Sequence, residues 1–128
     1  MNILAVDFGT KNIGLGWCDT GINVVLPYGV IDNKDKIKAK RELVDLIKTE
    51  KIQKVVVGLP YTMDGKENEN TKKIRVFVEG FEKEIGIKVE FFDERFTSKQ
   101  ADRMEGGASR DEKSAMVLLE SYLVKNKK

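Results

Sequence analysis

Two continuous apolar runs define the centre of the predicted sheet. The first covers residues 3–6 and is followed by Asp7-Phe8-Gly9, and the second covers residues 55–60 and ends in Gly58-Leu59-Pro60. Unbroken apolar runs of this length are typical of strands that are buried on both faces. Asp7 therefore follows directly after a central strand, where a carboxylate is held rigidly and still reaches solvent.

Three more segments with strand character extend this sheet. Residues 13–18 and 24–31 follow the first strand after short polar links, which predicts an antiparallel meander of three strands. Pro27 has no N–H group, so the third strand is expected at a sheet edge or at a bulge. Residues 88–93 predict a fifth strand, which ends in Asp93-Glu94-Arg95.

Helical periodicity accounts for most of the remaining chain. It predicts helices over residues 35–50, 67–85 and 110–125, a short helix over 97–104 and a Gly-Gly loop over 105–110. Ser109 and Glu112 have the spacing of a capping box at the start of the last helix. The apolar stripes of the first two helices consist of Ile37, Leu43, Val44, Leu46 and Ile47, and of Ile74, Phe77, Val78, Phe81 and Ile85.

The order of these elements predicts one α/β domain over residues 1–128. Its five-stranded mixed sheet combines the three-strand antiparallel meander with two parallel strands, and helices flank the sheet. A helix that connects an edge strand to a parallel strand is the expected right-handed crossover. This layout is that of the ribonuclease H-like fold, and the actin-like ATPase domain begins in the same way.

Composition narrows the chemistry that this domain can perform. Hydrophobic residues make up 41% and charged residues 34% of the 128 residues, as in a soluble globular domain. We expect no membrane span and no signal peptide. We also expect a cytoplasmic location, because the single Cys18 cannot form an internal disulfide. The chain contains no histidine, which excludes Ser-His-Asp and Cys-His nucleophiles.

Two acids near the ends of predicted elements are candidates for catalysis. Asp7 either binds a metal ion or caps the turn over residues 9–12. Asp111 shares one helix face with Ala115, Leu118 and Tyr122, at i, i+4, i+7 and i+11. That apolar face has to lie against the sheet, so Asp111 is expected to point inward, although an Asp in a first helical turn also complements the helix dipole.

The end of the fifth strand supplies a third acid. Asp93 and Glu94 are adjacent and face opposite sides of a strand, so only one of them can point toward Asp7. We favour Glu94, with Asp93 holding Arg95 or a loop. The alternative for Glu94 is a surface salt bridge. Carboxylates gathered at one site would suit Mg²⁺ or Mn²⁺, and two such ions can support hydrolysis of a phosphodiester bond.

Polar and basic residues around these acids are candidates for contacts with nucleic acid. Such contacts to phosphate position a nucleic acid without reading its sequence. The candidates are Thr10, Lys11, Asn12, Arg95, Lys99, Arg103 and Arg110.

In these residues the chain resembles the YqgF family, also called RuvX-like, of bacterial proteins with the ribonuclease H fold. The resemblance covers nearly the whole chain. It rests on Asp7-Phe8-Gly9-Thr10-Lys11 with Gly14, Gly58-Leu59-Pro60, Asp64-Gly65, Asp93-Glu94-Arg95-Phe96-Thr97-Ser98 with Ala101, and Asp111 with Ser114-Ala115 through Leu118-Leu119-Glu120-Ser121-Tyr122.

The resemblance implies a nuclease with Asp7, Glu94 and Asp111 as its acidic triad. Members of the family have been described as Holliday junction resolvases and as nucleases acting on the 5′ end of pre-16S ribosomal RNA. The substrate implied is therefore pre-rRNA or branched DNA. A non-catalytic RNA- or ribosome-binding module and an actin-like phosphate-binding ATPase half are the alternatives of other classes. The sequence leaves open whether the chain is a monomer or a homodimer.

Overall fold

The computed structural model describes residues 1–9, 11–22, 24–62, 64–96 and 109–125. Its elements, in chain order, are β1 (Asn2–Phe8), β2 (Asn12–Asp19), β3 (Val24–Asp32), α1 (Lys36–Thr49), β4 (Lys54–Leu59), α2 (Glu69–Ile85), β5 (Val89–Asp93), a 3₁₀ turn (Glu94–Phe96) and α3 (Arg110–Lys125).

The five strands form one mixed sheet in the order β3-β2-β1-β4-β5. The pairs β1–β2 and β2–β3 are antiparallel, whereas β4 pairs in parallel with both β1 and β5. The predicted meander and the two parallel strands are therefore confirmed. β3 is an edge strand, and its register with β2 shifts by one residue beside Pro27, which pairs with Gly16. Pro27 thus lies both at the edge and next to a bulge.

Helices cover both faces of the sheet. α1 and α2 pack on one face, over a core that includes Leu4, Val6 and Val57, with Phe81 fully buried in α2. α3 packs on the other face, where Leu118 and Leu119 meet Ile3, Ala5 and Val56. Because side chains alternate along a strand, this second face is the one on which Asp7 follows Ile3 and Ala5.

Side-chain caps explain where the helices begin. Asp35 accepts hydrogen bonds from the backbone N–H groups of Ile37 and Lys38, and Asn68 forms a capping box with Thr71 at the start of α2. Gly86 ends α2 in the left-handed conformation, with φ of 68°. These short-range signals can be identified in the sequence itself.

One predicted core residue is placed differently. Ile37 is 74% exposed, and the buried positions of α1 are Ala39, Leu43, Val44 and Ile47. The prediction of Ile37 in the stripe is wrong because the buried face is centred on Leu43 and Ile47. Ile37 lies roughly 90° from that centre at 3.6 residues per turn.

The chain directly after β5 differs from the simple strand-then-loop prediction. Glu94–Phe96 forms one 3₁₀ turn that continues from the strand. The helix predicted over 97–104 and most of the predicted Gly-Gly loop lie outside the described residues. Within the described part, no helix is long and apolar enough to cross a membrane.

Candidate active site

Asp7 lies near the end of β1 and is half-buried. It pairs in register with Gly14 of β2, and its other neighbour is β4, in which Val57 pairs with Val6. Gly58 is the next residue of β4 and therefore lies beside Asp7. The site of Asp7 thus has a glycine on each neighbouring strand, which leaves the face of the sheet around its carboxylate free of Cβ atoms.

Glu94 occupies the space that Gly58 leaves open. A Cβ atom added to Gly58 would lie 2.6 Å from Oε1 of Glu94 and 3.0 Å from its Cγ. Glu94 follows β5, which pairs with β4 through Gly58 and Phe92. Its side chain therefore reaches across β4 toward β1, where it forms a hydrogen bond with Asp7. The structure brings these two predicted acids into direct contact.

The contact between the two carboxyl groups changes the pKa of both. Burial, above all, raises the pKa of Asp7, and the charge of Asp111 adds to this, while the hydrogen bond with Glu94 opposes it. Burial, together with the charge of Asp7, raises the pKa of Glu94 to about 8. The raised pKa favours the protonated form of Glu94, which donates the hydrogen bond to the Asp7 carboxylate.

The first turn of α3 places Asp111 on the same side of the sheet. A Cβ atom added to Gly14 would overlap the backbone carbonyl group of Asp111 and lie 3.1 Å from its Cα. Gly14 is the β2 partner of Asp7. Asp111 is half-buried, and its charge acts on Asp7. These contacts concern the backbone of Asp111, so the inward direction of its side chain stays a prediction.

A reciprocal cap fixes the start of α3. The backbone N–H of Ser109 donates to Oε1 of Glu112 over 3.1 Å, and the backbone N–H of Glu112 donates to the Ser109 hydroxyl over 3.2 Å. This is the predicted capping box. It occupies the carboxylate of Glu112 and leaves Asp111 as the acid of this turn nearest to β2.

The acids are of the chemical type that binds a hard divalent cation, and two of them, Asp7 and Glu94, are in contact with each other. Carboxylate oxygens are the ligands that Mg²⁺ and Mn²⁺ prefer. Asp7 and Glu94 are both half-buried. Among the described residues, no group of three or more acidic or thiol side chains already has the spacing of metal ligands. Asp111 acts on Asp7 through its charge.

Asp93 binds Arg95, as was predicted for the acid that faces away from Asp7. Its carboxylate accepts hydrogen bonds from Nε of Arg95 at 2.9 Å and from Nη2 at 2.6 Å. The Arg95 guanidinium also lies over the ring of Tyr61, 5.7 Å from its centre. The structure therefore places Arg95 against Asp93 and the loop after β4.

The other predicted nucleic-acid contacts are placed only in part. Lys11 and Asn12 are exposed in the turn after β1, and Arg110 is exposed at the start of α3. Thr10, Lys99 and Arg103 lie outside the described residues.

Buried Asn33 supports that turn and was not predicted. Its side-chain amide donates to the carbonyl of Gly9 over 2.9 Å, and its backbone N–H donates to the carbonyl of Lys11 over 2.8 Å. The glycines at 14 and 58 are the other missed feature. Glycine inside an apolar strand signals a close approach of another group, so this signal was present in the sequence.

The fold is shared with solved junction-cleaving enzymes. A structure of Thermus thermophilus RuvC in complex with a Holliday junction substrate superposes with a TM-score of 0.71, covering 99% of this chain and 96% of that one at 12% identity. At this identity the likeness concerns the fold, which is ribonuclease H-like. The fold defines the class as that of ribonuclease H-like proteins.

The family follows from the sequence comparisons. A family model described as "RuvX: Holliday junction resolvase" matches residues 1–125. A protein of Maridesulfovibrio salexigens named "Putative pre-16S rRNA nuclease" is 30% identical over 98% of this chain and 99% of its own length. A Thermus thermophilus protein of the same name is 34% identical, with 98% of both chains covered. The chain belongs to the RuvX family, and the family and relative names make it a nuclease, a hydrolase of phosphodiester bonds.

Proposed function

We propose that the chain cleaves pre-16S ribosomal RNA, with Asp7, Glu94 and Asp111 as the acids that hold Mg²⁺ or Mn²⁺. The observation that carries this proposal is the direct contact of Asp7 with Glu94 across Gly58. Two buried carboxyl groups in contact are unfavourable for folding when both are charged. A cation bound by both would stabilise the pair in its ionised form, in which the two charges otherwise repel each other.

Each acid has a separate part in this arrangement. Asp7 is held by the centre of the sheet, and Glu94 is aimed at it from the end of β5. Asp111 adds a third negative charge from α3. When bound, one or two divalent ions supply an activated water and stabilise the leaving oxygen of the phosphodiester. A carboxyl group has to lose its proton to ligate, so the proton on Glu94 is the one released when the site is filled.

The turn after β1 supplies donors for the phosphate backbone. Lys11 and Asn12 are exposed there, and Asn33 holds the turn from beneath through Gly9 and Lys11. Arg110 is exposed beside Asp111. Contacts from these residues would position the scissile phosphate over the acids, and they would not select a sequence.

The names of the relatives favour RNA as the substrate. Proteins that are 30% to 36% identical to this chain carry the pre-16S rRNA name. The second candidate is a Holliday junction, which the family description names and which is bound by the structural neighbour RuvC. Cleavage of a four-way junction requires two sites and hence a symmetric dimer, whereas cleavage of an RNA leader requires only one.

A cleavage assay on two substrates tests the proposal. Labelled precursor 16S 5′-leader RNA and a synthetic four-way DNA junction are incubated with Mg²⁺ or Mn²⁺ and with wild type, Asp7→Asn or Glu94→Gln. Asp45→Asn is the matched control, because Asp45 is exposed on α1, on the opposite side of the sheet. We expect the RNA to be cut by wild type and by the Asp45 variant, and cleavage by the other two to be lost.

The outcomes separate the candidate functions. Symmetric cutting of the junction without cutting of the RNA would establish the resolvase activity instead. Binding of both nucleic acids without any product would favour the non-catalytic binding module. Full activity of Asp7→Asn would show that the acid pair is not the catalytic site. Stabilisation by ATP in the absence of nucleic-acid binding would favour the actin-like alternative.

A further inference from the structure

A second feature of the surface lies along the free edge of β5. Among the described residues, β5 is the last strand of the sheet, and none of them forms a strand on its outer side. A cleft of about 510 Å³ runs along this edge, and we call it the edge cleft. The lining residues on which the inference depends are Tyr61, Phe91, Phe92, Asp93, Arg95 and Lys125.

Two cationic side chains that line the edge cleft lie over aromatic rings, and Arg75 of α2, outside the lining, lies over a third ring. The Arg75 guanidinium is 5.1 Å from the ring centre of Phe91. Nζ of Lys125 is 5.6 Å from that of Phe92, and Arg95 lies over Tyr61. Phe91 is 39% exposed although it is a large apolar side chain. Phe92 is buried, so Phe91 is the phenylalanine of the cleft on which a base could stack. Exposed rings next to cations are groups with which proteins bind unpaired nucleic-acid strands, because bases stack on rings and phosphates contact cations.

The edge cleft also contains acidic side chains, which disfavour a ligand that consists of phosphate alone. Asp93 and Glu90 both line the cleft, next to Arg95 and Lys125. Asp93 binds Arg95, and Glu90 forms an ion pair with Lys54 at 3.3 Å. Carboxylates repel phosphate but accept hydrogen bonds from the amino groups of bases. A nucleotide with its base against the cleft satisfies both kinds of side chain.

The edge cleft begins next to the acid pair. Asp93 and Arg95, which both line it, are the chain neighbours of Glu94. Neighbouring strands lie about 4.8 Å apart, so the outer edge of β5 is roughly 10 Å from Asp7 on β1. Phe91 pairs with Val57 and faces the side of α2, opposite to Asp7. A strand of nucleic acid that lies over Asp7 and Glu94 and continues around the edge of β5 would reach Phe91 within a few nucleotides.

We propose that the edge cleft binds an unpaired segment of the nucleic-acid strand next to the scissile phosphate, with one base stacked on Phe91. The proposal rests on the proposed function for the position of the cleft relative to the cleavage site. It adds a preference for substrates that are single-stranded on one side of the cut. Stacking on Phe91 gives affinity that is independent of sequence.

Binding without cleavage tests this proposal directly. The probe is an unstructured, fluorescently labelled RNA of roughly ten nucleotides, titrated in EDTA so that no product forms. Phe91→Leu keeps an apolar side chain and removes the ring, whereas Phe91→Tyr keeps the ring. Ile37→Ala is the control, since Ile37 is exposed on α1, away from the edge cleft. Urea unfolding of each variant checks that the fold is intact.

We expect Phe91→Leu to weaken RNA binding by about tenfold, and Phe91→Tyr and Ile37→Ala to bind as wild type does. The salt dependence of binding should be the same for all four proteins, because no charge is removed. Equal binding by Phe91→Leu and wild type would overturn the proposal, and so would an equal loss in Phe91→Tyr and Phe91→Leu.

The two proposals fail in different ways. If wild type cleaves RNA and Phe91→Leu binds as wild type does, the edge cleft has no role and the nuclease site stands. If wild type cuts nothing and Phe91→Leu still loses affinity, the edge cleft binds RNA and the proposed cleavage is wrong.

Discussion

Replacement of Gly58 by alanine should separate the function of the acid pair from the stability of the fold. Gly58 lies in β4 between Asp7 and Glu94, in a strand conformation that alanine can adopt. The added Cβ would lie 2.6 Å from Oε1, 3.0 Å from Cγ and 3.2 Å from Cδ of Glu94. Since non-bonded atoms prefer separations of about 3.5 Å, the Glu94 carboxyl group has to move by roughly 1 Å.

We expect Gly58→Ala to lower the rate of cleavage and to leave the free energy of unfolding nearly unchanged. The atoms that clash belong to the end of a side chain that can rotate away, and a Gly→Ala change at a compatible position stabilises by about 0.4–1 kcal/mol through the unfolded state. Movement of Glu94 also relieves the burial of its carboxyl group next to Asp7. A displacement of about 1 Å in a reacting group can cost about a hundredfold in rate. We therefore expect Gly58→Ala to fold normally and to cleave about a hundredfold more slowly.

Three measurements on Gly58→Ala check this reasoning. Cleavage of the leader RNA gives the loss of rate, urea unfolding in EDTA gives the change in stability, and an NMR titration gives the pKa of Glu94. That pKa is expected to fall from about 8 toward the ordinary range of a glutamate. Gly80→Ala is the matched control. Its new Cβ would meet only the side-chain end of Lys40, so its activity should be unchanged.

The reasoning is refuted if Gly58→Ala cleaves at the wild-type rate while the pKa of Glu94 remains raised. That result would show that the pair has room for the methyl group. A loss of stability as large as the loss of transition-state stabilisation, about 2.7 kcal/mol for a hundredfold, would also refute it, because the glycine would then be needed for folding.

Two further predictions concern the same site. Gly14→Ala should lower the free energy of unfolding by about 3 kcal/mol, measured by urea unfolding. The new Cβ would overlap the Asp111 backbone, so α3 would have to shift as a unit. A small change in stability would contradict the close packing of α3 on β2. The second prediction is a pH dependence of the metal-free protein. Because the pKa values of Asp7 and Glu94 are raised on folding, the folded state binds protons more tightly than the unfolded state does. Proton binding therefore stabilises the fold at low pH, and this contribution to the free energy of unfolding is lost as pH rises from about 4.5 through about 8. Urea unfolding in EDTA should show the decrease in wild type and a smaller one in Glu94→Gln; equal decreases would contradict the assignment.

The pattern of apolar residues was enough to predict the elements and their order. Continuous runs indicated that β1 and β4 are central strands, and the predicted stripe of α2 is buried except for Phe77, which is half-buried. Pro27 was predicted at an edge or a bulge and lies at both. Ile37 was wrongly included in the buried stripe of α1. Several faces of a short helix contain apolar residues, and packing against the sheet decides which face is buried.

The site could be predicted only as a set of choices. Strand alternation required that either Asp93 or Glu94 face Asp7, and the structure places Glu94 there because Gly58 leaves the space. The helix face that holds Asp111 followed from spacing alone. The assignment of these acids as metal ligands remains a prediction, and the parts of Thr10, Lys99 and Arg103 are not tested by the described residues.

The sequence by itself therefore determined what depends on neighbours along the chain: strand and helix periodicity, caps, the exclusion of histidine chemistry, and the candidate acids. The tertiary structure decided what depends on residues far apart in sequence. The contact between Asp7 and Glu94, their raised pKa values and the edge cleft all follow from the order β3-β2-β1-β4-β5. Periodicity is repeated every few residues and is encoded locally, whereas strand order and register are set by the packing of the whole core.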